Sequence, residues 1–303
     1  MAHLAGPAHP ALEPDGGFSR PASRTAGRER EIVIRPAAFA PGRALASLLA
    51  LGRYADLFYT LTLHRIRVRY KQSVLGLGWA VLQPLATMAI LTLVFSYIAR
   101  IPSGALPYAV VVLAGLVPWT CFSNAITTST TSLTGQSQLV TRVYFPREIL
   151  PLTYICAAAI DCAVAGILLV VVMALYGIPP GPGLLLAPVV LLVLLALVCG
   201  VALTAAAAQV RLRDIGVAMP IVLQLLMFAS PVAYPLDTVP ARFAGLYMLN
   251  PIVGIVENFR RAVLGTAPPH LESLGISIAW AAVALPLGYA YFKWVEATAA
   301  DLV

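Results

Sequence analysis

Of the 303 residues, 60% are apolar and 11% charged, with a net charge of +7. Soluble domains carry about 25% charged residues, so a soluble enzyme is excluded as the bulk of the molecule. Residues 1–78 hold eleven of the twenty basic residues against five acids, which suits a terminus held on the cytoplasmic side better than a nucleic-acid surface.

Residues 1–50 are rich in Pro, Gly, Ala and Arg and show no apolar h-region, so a disordered basic extension without a signal peptide is expected. In residues 51–76, Tyr54, Leu57, Phe58 and Leu61 recur at helical spacing and are followed by Arg65, Arg67, Arg69 and Lys71. The pattern predicts an amphipathic helix in the cytoplasmic interface, its apolar face in the acyl boundary and its cations at anionic lipid heads. The alternation from His64 to Lys71 also fits a strand, but a lone strand at a membrane surface has no partner.

Six apolar runs follow, at 77–99, 106–126, 149–176, 184–208, 215–233 and 274–294. At 1.5 Å per residue, each is long enough to cross the roughly 30 Å hydrocarbon layer. Uninterrupted apolar runs exclude a barrel. The expectation for 77–294 is therefore an all-α domain of six transmembrane helices, with a tail at 295–303. With the N-terminus inside, the cytoplasmic pieces together with Lys293 carry sixteen of the twenty basic residues. That predicts both termini inside a cytoplasmic membrane. Cys121, Cys156, Cys162 and Cys199 fall within apolar runs without metal-type spacing and read as small buried hydrophobes.

Polar interruptions distinguish the spans. The first carries Gln83-Pro84, and the second Pro118-Trp119 with Ser123 and Asn124 near its end. Asp161, deep in the third, is either a functional intramembrane acid or a hydrogen-bonded lock between helices. After the fifth span, two short apolar pieces at 243–249 and 252–264 flank Asn250-Pro251. They predict a re-entrant exterior hairpin, a form tolerated only where it is buried in protein or lines a cavity. Asn250, Pro251, Glu257, Arg260 and Arg261 are its candidate gate residues.

No HExxH, DxD-type, GxSxG or Walker sequence is present, so no catalytic residue and no metal site is assigned. The chain reads as the membrane part of a machine powered by another polypeptide. In the cytoplasmic loop 127–148, Leu139, Val140, Arg142, Tyr144, Phe145 and Arg147 offer a short amphipathic docking segment for such a partner. An ordinary connecting loop on the interface is the alternative.

Four stretches, in order, resemble the ABC-2 type permeases that export polysaccharides. They are RVRYKQSVLGLGWAVLQPL (67–85), LVTRVYFPREILPL (139–152), VRLRDIG (210–216), and SPVAYP (230–235) with LNPIVGIVENFRRAVLG (249–265). The resemblance spans roughly residues 50–300. It implies a homodimer that binds two copies of a separate nucleotide-binding ATPase subunit, where ATP and Mg act; no cofactor is expected in this chain. The implied cargo is a lipid-linked glycan such as an O-antigen, capsule or teichoic acid precursor, and no nucleic acid. Loop 139–147 would couple to the ATPase, and the basic run from Arg65 to Lys71 would admit the lipid head. Arg213-Asp214 would cap the fifth span. Trp119, Phe122, Tyr154, Phe228 and Tyr234 are candidate channel aromatics for sugar faces, or alternatively belt and core residues. A drug or lipid permease of the same superfamily is the competing function, and a membrane scaffold or glycosyltransferase accessory protein a more distant one.

Overall fold

The computed structural model describes residues 52–71, 76, 78–100, 106–136, 138–139 and 145–299. The expected extension at 1–50, the side chains of Arg69 and Lys71, and Val140, Arg142 and Tyr144 lie outside the described residues. Among those described there are nine longer helices and no strand. They are α1 (Ala55–Lys71), α2 (Gly78–Ile98, its end a π-helical turn), α3 (Tyr108–Thr130), α4 (Ile149–Leu175), α5 (Ala187–Arg211), α6 (Ile215–Phe228), α7 (Ala241–Met248), α8 (Pro251–Leu264) and α9 (Leu271–Ala299).

Five of these, α2, α3, α4, α5 and α9, are long and apolar enough to cross a membrane. The chain is a multi-pass membrane protein. α3 is the central post: 83% of its apolar window is buried, against 6% for α2, and it packs against α2, α4, α5, α6 and α8. α5 and α9 make the most extensive helix pair. Their close approach runs over glycine, since a Cβ on Gly288 would lie 2.1 Å from the Gly200 carbonyl oxygen. With lipid as apolar as leucine, such backbone contact is a main source of helix association.

The expected fifth span at 215–233 takes another form. Its helix, α6, is only 14 residues long, about 21 Å at 1.5 Å per residue. Pro231 lacks an N–H and disfavours helical backbone at the residue before it, and residues 229–235 run as irregular chain. Every carbonyl from 228 to 234 still finds a donor. Tyr234 Oη donates to Phe228 O, Asn250 Nδ2 to Ala229 O, and Val232 N to Ser230 O. Arg260 donates to Pro231, Val232 and Tyr234, and Tyr108 Oη to Ala233. Non-helical backbone at membrane depth needs this complete satisfaction by protein.

The bundle has two distinguishable ends. At one, α1 packs on the start of α4, Lys293 near the end of α9 meets Glu148, and Arg211 at the end of α5 stacks on Trp294 at 4.1 Å. At the other, Gly181 of the α4–α5 loop donates to Val263 at 2.8 Å, and Asn258 of α8 holds His270 before α9. Between Arg211 and Leu271 the chain therefore returns through the bundle by way of α6 and residues 229–235.

α8 is well delimited. The Asn250 side chain accepts from Ile252 N at 3.0 Å, Pro251 occupies the first turn, and Gly265, at φ 65°, closes the end in the left-handed conformation. Before α6, Asp214 stands in the cap position but its side chain makes no capping hydrogen bond. Its backbone oxygen accepts from Val217 and Ala218 instead.

Candidate functional site: a polar cleft and its two anchored ends

Three polar assemblies interrupt the apolar bundle. The first joins α1 to α4. Phe145 is buried with Ile149 and Leu150, and Tyr54, Leu57, Phe58, Leu61 and Leu139 pack around them. The apolar stripe of α1, expected to face lipid, is thus partly engaged by its own chain, because an aromatic from the 139–147 loop reaches it first. Arg65 completes the joint. Its Nε donates to Thr153 Oγ1 at 2.7 Å, its Nη2 to Gln136 Oε1 at 3.2 Å, and its guanidinium lies 3.4 Å from the centre of the Tyr154 ring. Burial pulls the Arg65 pKa down while the Tyr154 phenol opposes that; an arginine stays charged regardless. Arg67 is exposed.

Beside this joint lies an ionic bridge that sequence reasoning missed. Glu148, 1% exposed, sits immediately before α4, and its Oε2 accepts from Lys293 Nζ at 2.7 Å. Lys293 also donates to Glu296 at 2.9 Å. The base of the 139–147 segment is therefore tied to the last turns of α9. An acid next to the Pro146 break and a lysine near the end of an apolar run were visible separately, but nothing in the sequence paired them.

The second assembly is a cleft of about 350 Å³ between α2, α3 and α4, lined by Trp79, Gln83, Thr87, Thr120, Asn124 and Asp161. Gln83/Thr87 and Thr120/Asn124 are i,i+4 pairs, each on one helix face. That spacing is the signal by which the cleft could have been found. An adjoining cavity of about 260 Å³, lined by His64, Arg65, Gln136 and Tyr154 among others, meets the first at Asp161. Asp161 thus borders both.

The third assembly gathers the exterior gate candidates. Arg260 is 4% exposed, and its Nη1 donates to Glu257 Oε2 at 3.1 Å. Its Nε also reaches Val111 O on α3 at 3.3 Å. Arg261 Nε donates to the other Glu257 oxygen at 2.7 Å, and Arg261 Nη1 to Pro268 O at 3.1 Å. Glu257 and Arg260 face into their own chain, where with Asn250 they hold residues 229–234.

The five channel aromatics do not form one set. Trp119 and Phe122 pack together at 5.8 Å in the core of the bundle. Tyr154 sits under Arg65. Phe228 and Tyr234 lie near the opposite end, where Tyr234 Oη also meets Tyr247 Oη at 2.7 Å. Leu139 and Arg147 are partly exposed near the α1 joint.

Residues 56–264 match the model of the ABC-2 type transporter family. This chain belongs to the ABC-2 type transporter family. Over 242 residues it is 30% identical to the O-antigen export system permease protein RfbA of Myxococcus xanthus, covering 79% of this chain and 91% of that protein. Similarity to RfbA of Klebsiella pneumoniae is 26% over 69% of the chain and 81% of the relative. The polysialic acid transport protein KpsM of Escherichia coli is 27% identical over 78% of the chain and 92% of its own length. As an ABC-2 chain, the molecule keeps the family-matched region continuous from α1 to the end of α8.

Proposed function

We propose that this ABC-2 chain is the membrane-spanning permease of an ATP-driven exporter of lipid-linked polysaccharide. The observation that carries the reading is that relatives named for two different polysaccharides, O-antigen and polysialic acid, align with more than three quarters of the chain. That favours a glycan over the drug or lipid cargo that the family alone would allow. In this proposal two copies pair, and each engages one copy of a separate nucleotide-binding subunit that holds ATP and Mg and performs hydrolysis. The chain crosses the cytoplasmic membrane six times with both termini inside, α6 and residues 229–235 forming the fifth crossing.

The 139–147 segment receives the partner's motion, and buried Phe145 passes it to α1 and α4. Arg67 and the basic residues after it attract the anionic lipid head. At the other end α8 is the fixed half of the exterior hairpin, held by Glu257 and Arg260. α7, whose Phe243 and Leu246 are exposed, is the half that moves over the outlet. The test is deletion of the chain in its host, with surface polysaccharide and copurifying proteins as readouts. Loss of surface glycan, and recovery of an ATPase with the tagged chain, are expected; unchanged glycan display would overturn the proposal.

A further inference from the structure

We infer that the cleft between α2, α3 and α4 is a binding site for sugar hydroxyls, with the side-chain amides of Gln83 and Asn124 as its principal contacts. The inference rests on the polysaccharide-export reading and names the place in the chain where the glycan is held. Four observations carry it.

The first is that the two amides have no hydrogen-bond partner among the described residues, although they lie within apolar membrane helices. Most other polar side chains of this bundle are spent internally. The Thr87 and Thr120 hydroxyls each donate to a carbonyl of their own helix, at 3.0 and 2.8 Å, and keep lone pairs open to the cleft. An amide left facing hydrocarbon is strongly disfavoured, so these groups face water or a polar ligand. The second is convergence: three helices contribute amide, hydroxyl and carboxylate groups to one cleft of about 350 Å³. Pockets of this size with a few aimed polar groups are the usual form of a small-ligand site.

The third is the donor and acceptor set. Each amide can donate and accept at once, as a sugar hydroxyl does. Trp79, 49% exposed at the rim, adds an aromatic plane of the kind that packs on the apolar face of a pyranose. No basic side chain is among the described residues of the cleft, and no metal-binding group of three appears among the described residues. The fourth is position. At Asp161 the cleft meets the cavity beside Arg65, so a hydroxyl-rich chain bound in it would adjoin the interface helix α1.

The experiment uses the assembled transporter in inverted membrane vesicles from two strains, one making its native glycan and one blocked at the first sugar addition. Gln83→Cys and Asn124→Cys are exposed to a small hydrophilic methanethiosulfonate, and labelling is scored above that of the parent chain with its four cysteines. Both positions are expected to label in the blocked strain and to be protected several-fold in the exporting strain. Ile90→Cys and Ile167→Cys, at exposed apolar positions of α2 and α4 outside the cleft, are expected to label in neither. Absent labelling at both cleft positions, or equal labelling in the two strains, overturns the assignment. Independently, the double variant Q83L/N124L should lower surface glycan roughly tenfold, as loss of hydrogen bonds to substrate does, with the complex inserted at parental amounts. If deleting the chain leaves glycan display intact, the export reading itself fails. If deletion abolishes display while Q83L/N124L exports normally, the cleft assignment alone fails.

Discussion

Arg260 shows how one side chain can replace a turn of helix. Its guanidinium gathers three carbonyls from residues 231–234 and one from α3, and Glu257 neutralises it from one turn away. A planar fork with five fixed donors suits this task, and a lysine with three donors on one atom does not. Arg260→Met should therefore destabilise the detergent-solubilised chain by about 3–5 kcal/mol, the usual consequence of removing one partner of a buried pair. Arg260→Lys should fall between the two, both measured as shifts in the thermal unfolding midpoint. Parental stability of the Met variant would mean that the irregular segment is held by packing alone. Two other arginines, neighbours in sequence, divide differently. Arg65 is committed to Thr153, Gln136 and Tyr154, whereas Arg67 is exposed. Arg65→Gln should reduce the yield of folded protein. Arg67→Gln should leave yield intact and lower glycan-stimulated ATP hydrolysis by the complex; a lowered yield with Arg67→Gln would assign it to folding instead.

Among the elements, the joints at the α1 end are where the proposed coupling can be tested. Lys293 bridges Glu148 at the root of the 139–147 segment and Glu296 on its own helix. Among the described residues the second Glu148 oxygen, Oε1, has no hydrogen-bond partner, which leaves a buried carboxylate oxygen open to a further donor. Glu148→Lys and Lys293→Glu singly should each impair coupled ATP hydrolysis, and the exchanged pair should recover part of the loss in a double-mutant cycle. Strict additivity of the two losses would show that the bridge transmits nothing. The pairing of α5 and α9 depends on backbone contact. Gly288→Leu should separate them and reduce the recoverable, monodisperse protein on size-exclusion chromatography, since the Gly200 carbonyl stands where the side chain must go. Leu287→Ala, on the exposed neighbour, is the control expected to have little effect.

For the whole molecule, the proposed orientation draws on two independent lines. The bias of basic residues predicts both termini inside, and the structure puts the ends of α5 and α9 beside the start of α4. Asp237→Cys, in the segment after the fifth crossing, should react with an impermeant thiol reagent on intact spheroplasts. Thr298→Cys should react only after permeabilisation. Labelling of both from outside would overturn the six-crossing arrangement.

The sequence by itself determined that the protein is helical and multi-pass, with its basic residues concentrated before the first apolar run, because hydrocarbon admits few charges and apolar runs of this length have one stable form. Its motifs were also sufficient to place it in the ABC-2 family, and the break at Asn250-Pro251 marked the start of α8. Only the tertiary structure decided what the interruptions do. Gln83, Asn124 and Asp161 come from three separate runs, and no periodicity within one run states which faces will meet. Phe145, read as part of a docking segment, is buried against α1, and for Trp119 and Phe122, which the sequence left open between channel and core, the structure shows core positions. The run at 215–233 counted as a full span by hydropathy, which is blind to where a helix stops. Pro231 ends the helical pattern there, and the donors that make this tolerable come from Tyr108, Asn250 and Arg260, as far as 125 residues away along the chain. Hydropathy measures the transfer of a segment into lipid; long-range hydrogen bonds decide what backbone that segment can keep once it is there.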